Sequence, residues 1–314
     1  MRKLLFKFAI FLGSILFFMI TVGQHDNRHP LTDSNIIRLK VSGQFDGLDY
    51  LFLGSSYTYS GVVPQLFEKI DAKAYNLGIA TASAHFYELL ISDYMNSVSQ
   101  KPKVVVLECS PMSFSSQSDN WISYPIHRYL SDPVSNEEIL WRFNINKHYL
   151  LLIRKSFIKA SENLRHYPFF SPSMDSRKYD EILRSKGYEK TEQIFSEKIY
   201  KENEKYYVGL RKDKIDERKV AMFISLIKKL QANGIEAVVV EMPTLRLKGF
   251  FSQAYLKDYD DFFSTLQAQG VHFIRLAMPS QEDYFRDIDH LNYKGATLFT
   301  QMLIEKLPQP ELSF

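Results

Sequence analysis

The stretch LFLGSSYTYSG, residues 51–61, ends a short hydrophobic run on a glycine and follows it at once with two serines. The run itself, DYLFL at residues 49–53, has the length and composition of a strand that is buried on both faces. Gly54 and the two serines are typical of a tight turn. They would equally place a hydroxyl group at the end of a strand, so the rest of the chain has to decide between a turn and a nucleophile.

Four further hydrophobic runs have the same character as the first. They are short and rich in Val, Ile, Leu and Phe, and they lie at residues 74–77, 103–108, 236–241 and 271–276. Amphipathic segments with helical periodicity alternate with the later runs, at residues 216–232, 255–269 and about 292–306. Such alternation predicts an α/β protein: a doubly wound, flavodoxin-like three-layer sandwich around a parallel sheet of about five strands.

Residues 111–215 interrupt this alternation between the third and the fourth predicted strand. The segment is rich in tyrosine and in basic residues, and helical patterns cover residues 135–165 and 177–205. A loop of that length without structure would be unusual inside a compact domain. We therefore expect a helical insertion in a domain over residues 48–314, standing over one end of the sheet as a lid, a substrate groove or a partner surface.

The N-terminus predicts a domain that is exported and stays attached to a membrane. Three basic residues flank or precede an uncharged run over residues 8–22. An apolar segment of this kind suits a signal-anchor helix, and its basic flank predicts a cytoplasmic N-terminus. We expect residues 1–23 to be a retained single-pass transmembrane anchor, residues 24–47 to be a linker, and the remainder to be periplasmic or extracellular. Cleavage after Gly23 is the alternative, although the residues before it make a poor cleavage site.

The overall composition excludes several classes of function. The chain has 314 residues, of which 45% are hydrophobic and 24% charged, and its net charge is +3. This charge is too small, and the basic residues are too scattered, for nucleic-acid binding. Cys109 is the only cysteine, and the histidines are scattered along the chain. We therefore expect no disulfide framework, no metal site and no cofactor.

The candidate catalytic and binding residues follow the ends of predicted strands, where ligands bind in a doubly wound sheet. Ser55 and Ser56 follow the first strand, Gly78 follows the second, and Ser110 follows the third. The motif RDIDHLNYKG, residues 286–295, lies between the last strand and the last helix. All of these residues are expected at one edge of the sheet.

A serine at the same edge as an Asp-x-x-His motif is what acyl transfer requires. The serine hydroxyl needs an imidazole to take its proton, and the imidazole needs an acceptor that holds its tautomer. Asp287 and His290 can meet as orienting carboxylate and base. Asp289 competes for the orienting role, but the side chains of neighbouring residues diverge, so we assign that role to Asp287.

The arrangement resembles the SGNH (GDSL-like) hydrolase superfamily over about residues 48–110 and 216–306. The sequence LGSS stands where that family has Gly-Asp-Ser, so the resemblance implies that Ser56 is the nucleophile and that a serine replaces the family's aspartate. The sequence DIDHLNYKG matches the last block of the family. This match implies that Asp287 and His290 complete a catalytic triad.

The same resemblance implies which groups would bind the oxyanion. They are the backbone N–H groups of Ser56 and Gly78, together with Ser110, which stands at the place of the family's asparagine. The third block departs from the family pattern, since this chain reads ECSP where Gly-x-Asn-Asp is usual. The third donor would therefore be a hydroxyl in place of an amide.

A basic N-terminal anchor, a GSS block and a long insertion look most like the membrane-anchored proteins of the D-alanine transfer or alginate acetylation type. This likeness implies a serine esterase or O-acyltransferase that acts on acyl esters, in particular acetyl esters, of a cell-surface polysaccharide. An acylated carbohydrate or acyl donor would be its substrate, and a polytopic membrane O-acyltransferase its partner. Arg246, after the fourth strand, could hold an anionic substrate group or could be a solvated arginine of a loop. The alternative is a catalytically silent module of the same fold that binds glycan or scaffolds a membrane acyltransferase.

Overall fold

The computed structural model describes residues 45–80, 82, 84–116 and 176–309. The chain divides into two compact units, residues 1–39 with 123–180 and residues 40–122 with 181–314. Nearly all of the first unit lies outside the described residues, as do the predicted anchor, most of the predicted linker and the predicted helix at 135–165. The sheet and the candidate site belong to the second unit.

Within the described residues, five strands form one sheet in the order β2-β1-β3-β4-β5. The strands are Tyr50–Leu53 (β1), Ala74–Asn76 (β2), Val104–Cys109 (β3), Glu236–Glu241 (β4) and His272–Arg275 (β5). All four neighbouring pairs are parallel. This order is that of a flavodoxin-like doubly wound sheet. The predicted α/β class and the five predicted strands are confirmed, with small differences at the strand ends.

The described part of the chain contains seven α-helices. They are Ser56–Gly61 (α1), Ala84–Ser97 (α2), Ser176–Arg184 (α3), Glu197–Tyr207 (α4), Glu217–Ala232 (α5), Gln253–Ala268 (α6) and Tyr293–Ile304 (α7). Short 3₁₀ segments lie at Pro64–Ile70, Pro111–Phe114, Val208–Lys212, Leu247–Phe250 and Glu282–Tyr284. No described helix is both long and apolar enough to cross a bilayer.

Local chemistry explains where these helices begin and end. At the start of α5 the Asp216 carboxylate accepts the N–H of Arg218, and after its end Gly234 has a φ of +73° that a glycine adopts without strain. The helical pattern predicted over residues 177–205 corresponds to two helices, α3 and α4, because the chain turns between them. There Lys186 and Gly187 both have positive φ, and the N–H of Gly187 closes α3 on the carbonyl of Ile182.

Helices cover both faces of the sheet. The connection from β1 to β2 runs in one direction along the sheet, and the three later connections run in the other, so right-handed crossovers place their helices on opposite faces. Accordingly α2 packs against α5, whereas α1 packs against α7. The strands β1, β2 and β3 are buried at every residue, which explains their continuous apolar runs. Only Gly54 and Ser55 separate the end of β1 from the start of α1.

The described chain on either side of residues 117–175 is joined by hydrogen bonds. Ser115 forms an antiparallel bridge with Ile215, and the N–H of Ser116 donates to the carbonyl of Lys214. Beneath this bridge the fully buried Lys219 donates from Nζ to the carbonyl of Ser115 at 2.6 Å. The chain thus leaves the end of β3 and returns before α5 at adjacent points.

Candidate active site

The turn between β1 and α1 presents Ser56 at the carboxyl edge of the sheet. Ser55 caps α1, since its hydroxyl oxygen accepts the N–H of Tyr57 at 3.3 Å. Ser56 is the first residue of the helix and is half-buried, and no group in the described residues accepts its backbone N–H. The stretch quoted at the outset is therefore a strand that ends in an accessible hydroxyl, with a neighbouring serine as the helix cap.

Glu108, near the end of β3, holds this turn in place. Its Oε2 atom accepts the N–H of Ser55 at 2.7 Å and both the N–H and the hydroxyl of Thr58, at 2.9 and 2.7 Å. Its Oε1 atom accepts the hydroxyls of Ser55 at 2.6 Å and Tyr87 at 3.3 Å. Burial raises the pKa of Glu108, and the hydrogen bonds from Ser55 and Thr58 only partly offset this. Sequence reasoning missed Glu108, although a carboxylate in a Val-rich buried strand is a recognisable signal.

His290 lies beside Ser56, as the sequence predicts. The Oγ atom of Ser56 and the Nε2 atom of His290 are 2.7 Å apart, although 234 positions separate the two residues. On the other side of the ring, Nδ1 lies 3.0 and 3.1 Å from the two carboxylate oxygens of Asp287. The backbone N–H of His290 also donates to Asp287, at 2.8 Å. If Nδ1 carries the proton that Asp287 accepts, Nε2 is free to accept the proton of Ser56.

Asp289 also reaches the imidazole, contrary to the expectation that neighbouring side chains diverge. Its Oδ1 atom lies 2.8 Å from Nδ1 of His290, but only Asp287 meets that nitrogen with hydrogen-bond geometry. Its Oδ2 atom accepts the hydroxyls of Tyr57 and Tyr207, each at 2.9 Å. The tight turn over residues 287–290 bends the chain enough to bring both carboxylates to the same edge of the ring.

The two carboxylates dominate the electrostatics of the imidazole. Burial alone lowers the pKa of His290, but the adjacent charges of Asp289 and Asp287 outweigh it and raise that pKa to about 10. Burial raises the pKa of Asp287, yet the neighbouring imidazole and its hydrogen bonds hold the net pKa well below the usual range. For Asp289 burial prevails over the attraction of His290, so its pKa is raised.

Two of the three predicted oxyanion donors are engaged elsewhere. The N–H of Gly78 donates to Oδ1 of Asn76 at 2.9 Å, which disagrees with the prediction that it is free for an oxyanion. Ser110 is fully buried, and its hydroxyl lies 3.2 Å from the hydroxyl of Ser113, so the prediction that it replaces the family's asparagine is not supported either. Both residues stabilise local turns instead. The backbone N–H of Ser56 is the predicted donor that remains available.

Arg246 is already paired with two acidic side chains. Its guanidinium donates to Glu197 at 3.0 Å and to Glu282 at 2.6 Å. It also lies over the rings of Phe195 and Tyr200, with centroid distances of 4.9 and 5.0 Å. This pairing disagrees with the prediction that Arg246 holds an anionic substrate group. Its observed contacts connect the start of α4 with the segments that follow β4 and β5.

Among the described residues, Asp287, Asp289 and His290 form a group whose potential metal-ligand atoms lie within 4.8 Å of one another. In this structure those atoms already have partners. Nδ1 of His290 lies against both carboxylates, and Nε2 lies within hydrogen-bond distance of Ser56 Oγ. The arrangement fits a hydrogen-bonded charge network around the imidazole. The same atoms could not also bind an ion without breaking these contacts.

A protein-family model matches residues 172–310, which is under half of the chain. No curated protein matches this chain significantly. Similar solved structures include a protein named as lipolytic, of the G-D-S-L family, from Desulfitobacterium hafniense, at 9% identity and a TM-score of 0.40; the match covers 82% of this chain and 98% of that one.

Two further structures come from Bacteroides species. A protein named as an acylhydrolase from Bacteroides fragilis matches at 10% identity and a TM-score of 0.43, over 87% of this chain and 95% of its own. A protein named as a GDSL-like lipase from Bacteroides thetaiotaomicron matches at 10% identity and a TM-score of 0.40, over 88% and 100%. At these identities and TM-scores the three structures carry no conclusion about the function of this chain.

Proposed function

We propose that the chain is an SGNH-type serine esterase or O-acyltransferase in which Ser56 is the nucleophile, His290 the base and Asp287 the orienting carboxylate. One observation carries this proposal: the continuous contact from Ser56 Oγ through the imidazole to the Asp287 carboxylate. Such a set activates a serine hydroxyl, which is otherwise a poor nucleophile at neutral pH.

The proposed reaction starts from the neutral form of the imidazole, which is the minor form at neutral pH because the two carboxylates raise the pKa of His290. In that form, Oγ of Ser56 attacks the acyl carbonyl carbon while its proton passes to Nε2 of His290. The resulting oxyanion would face the backbone N–H of Ser56. When the carbon–oxygen bond to the alcohol breaks, the proton on Nε2 passes to the leaving oxygen, and an acyl-serine remains. Water or a glycan hydroxyl then attacks this ester, gives its proton to Nε2, and releases Ser56 with its own proton restored. Water makes the protein an esterase, and a glycan hydroxyl makes it an acyltransferase.

The substrate and location belong to the same proposal. The apolar run at residues 8–22 and its basic flank support a single-pass anchor with the domain outside the cytoplasm. An extracytoplasmic acyl-transfer site suits an acyl ester of a cell-surface polysaccharide, in particular an acetyl ester, with a polytopic membrane O-acyltransferase as partner. These assignments rest on the sequence, because residues 1–44 lie outside the described part of the chain.

A second function is favoured by a specific observation. The N–H of Gly78 and the hydroxyl of Ser110 are both committed to neighbouring residues, which leaves the oxyanion with fewer donors than the family uses. A site of this kind is consistent with a catalytically silent module that binds glycan or scaffolds a membrane acyltransferase. The two functions differ in whether Ser56 forms a covalent acyl intermediate.

Covalent labelling distinguishes them. The full chain in detergent is treated with a fluorophosphonate, the modified peptide is mapped by mass spectrometry, and hydrolysis of 4-nitrophenyl acetate is followed in parallel. We expect labelling at Ser56, and we expect the Ser56→Ala variant to lose both label and turnover. Ser264→Ala, which changes an exposed serine of α6, is the matched control and should retain both. A parent protein that neither labels nor hydrolyses the ester would support the silent module.

A further inference from the structure

The imidazole of His290 has a second carboxylate that the proposed reaction does not use. Asp287 meets Nδ1 with hydrogen-bond geometry at 3.0 Å, and this is the only orienting group that a serine nucleophile and its base require. Asp289 nevertheless places Oδ1 2.8 Å from the same nitrogen. Asp289 is buried, and within the described residues this oxygen accepts no hydrogen bond. A buried carboxylate is costly, so its position at the ring calls for a reason.

Two tyrosines restrain the other oxygen of Asp289. The hydroxyls of Tyr57 in α1 and Tyr207 at the end of α4 both donate to Oδ2 at 2.9 Å. Burial raises the pKa of both tyrosines, so they remain protonated donors. The ring of Tyr57 also stacks on the imidazole, with 4.9 Å between ring centroids and 19° between planes. Asp289 is therefore held against His290 by elements that lie far apart along the chain.

We propose that Asp289 is a positioning residue that holds a second negative charge against the Nδ1 edge of His290, and that Tyr57 and Tyr207 moderate how strongly this charge acts on the imidazole. The inference deepens the proposed function, because it assigns what controls the base of the same site. It gives α4 a direct connection to that base, through the hydroxyl of Tyr207. A change at the end of α4 would then alter the titration of the His290 imidazole without contact between α4 and the substrate.

The charged groups around Asp289 support this assignment. Arg286 is directed at Asp287, with 3.3 Å between Nε and Oδ2. Among the described residues, the nitrogen of His290 is the one cationic group within ion-pair distance of Asp289. Glu108, in β3, is the other charged side chain that acts on Tyr57. Its negative charge raises the pKa of the Tyr57 hydroxyl, so it brings no cation to Asp289. The imidazole thus faces two carboxylates, and these together raise its pKa to about 10 against the opposing effect of burial.

Two substitutions are expected to shift the titration of His290 in opposite directions. Asp289→Asn removes one carboxylate, so the imidazole should lose its proton at lower pH, by about 1 unit or more, as is usual for an opposite charge at this distance. Once the imidazole is neutral, the Asp289 carboxylate depends on its hydrogen bonds for stabilisation, and Tyr207→Phe removes one of them. The pair should then hold its shared proton more tightly, and the titration should move to higher pH.

The direct measurement is NMR titration of the full chain in detergent with ¹³C-labelled histidine, in which the His290 signal is assigned by its absence from His290→Gln. Asp258→Asn, an exposed carboxylate on α6, is the control for the loss of a charge. Tyr200→Phe is the control for the loss of a tyrosine hydroxyl, since Tyr200 is also on α4 but bonds to Glu204 instead. Both controls should leave the His290 titration unchanged.

Opposite shifts in Asp289→Asn and Tyr207→Phe would support the inference. An unchanged titration in Asp289→Asn, or shifts of the same sign in the two variants, would overturn it. If Asp289→Asn does not fold, as judged by circular dichroism, Tyr207→Phe decides alone: a rise supports the inference and no change refutes it. The NMR signal does not depend on turnover. Opposite shifts in a protein without esterase activity would therefore support the role of Asp289 while removing the proposed function, and turnover without the shifts would do the reverse.

Discussion

Glu108 approaches Gly54 so closely that a β-carbon at residue 54 would lie 2.3 Å from the Oε2 atom of the carboxylate. The register of the sheet causes this approach, because Leu53 in β1 pairs with Leu107 in β3 and the next residue of each strand follows in step. The glycine therefore does more than permit a turn. Because it has no side chain, it leaves space for the Glu108 carboxylate to reach the start of α1, beside Ser56.

Gly54→Ala should disrupt the site more than the size of a methyl group suggests. The added carbon would meet Thr58 Oγ1 at 2.1 Å as well as the carboxylate of Glu108, whereas a carbon added at Gly249 meets nothing within 4 Å. We expect Gly54→Ala to lower the free energy of unfolding by about 1–3 kcal/mol and to reduce ester hydrolysis. Gly249→Ala is the control for both urea unfolding and turnover. Equal behaviour of the two variants would show that the space at residue 54 is not needed.

Glu108→Ala should weaken both the fold and the nucleophile. It would leave the buried N–H groups of Ser55 and Thr58 without their acceptor, and each such group costs about 1–3 kcal/mol. Glu108→Gln keeps an acceptor at the Oε2 side and can donate at the other side to the Ser55 hydroxyl. We therefore expect urea unfolding and kcat to be affected strongly in the alanine variant and mildly in the glutamine variant. A glutamine variant as defective as the alanine variant would mean that the charge itself is required.

The number of strands and their parallel direction could be predicted because parallel buried strands leave continuous apolar runs in the sequence. The meeting of Ser56 with His290 followed from the same reasoning, since the carboxyl ends of such strands share one edge. The contacts of Asp289 and Glu108 could not be predicted in this way. They depend on the tightness of one turn and on the register of two strands, and neither leaves a periodic pattern.

Two of the three predicted oxyanion donors, Gly78 and Ser110, are engaged elsewhere for a related reason. A glycine or serine after a strand is compatible with a free donor, but which neighbour takes the hydrogen bond is decided by the folded backbone. At Gly78 that neighbour is the Asn76 side chain, which also donates to the carbonyls of Thr58 and Val62 and so holds the end of α1. Sequence position alone does not distinguish such a structural amide from a catalytic one.

Ser110→Ala tests whether the third-block serine has any part in the reaction. Its hydroxyl is buried against Ser113, so we expect a loss of about 1 kcal/mol in the free energy of unfolding and little change in kcat. Loss of a true oxyanion donor would lower kcat by about 10²–10³. Steady-state hydrolysis of 4-nitrophenyl acetate, with urea unfolding beside it, separates the two cases. A large fall in kcat with unchanged stability would return Ser110 to the oxyanion site.

Arg246→Met should leave the chemistry intact. The side chain of Arg246 is 38% exposed and those of its partners Glu197 and Glu282 are more exposed still, so the ion pairs contribute little in water. Stacking on Phe195 and Tyr200 is retained in part by the methionine side chain. We expect a change of about 1 kcal/mol or less in stability and an unchanged KM for a neutral ester. A KM that rises only for anionic substrates would show that Arg246 binds them after all.

The stability of the fold should fall as the solution becomes alkaline, and His290 should be a main cause. The pKa of its imidazole is raised from the usual 6.5 to about 10 in the folded chain. A group whose pKa is higher in the folded state contributes its full stabilisation below its unfolded pKa and loses it as the pH approaches its folded pKa. The free energy of unfolding should therefore decrease between about pH 6.5 and pH 10, because the unfolded chain releases this proton first.

Urea unfolding of the parent and of His290→Gln over that pH range measures the contribution. Buried tyrosines such as Tyr87 and Tyr259, and the thiol of Cys109, also have a raised pKa in the folded state, but they remain in the glutamine variant and so cancel in the difference. The difference in unfolding free energy between the two proteins should shrink steadily from neutral pH to about pH 10, since only the parent carries the imidazole. A difference that stays constant with pH would mean that the two carboxylates do not hold a proton on His290 in the folded chain.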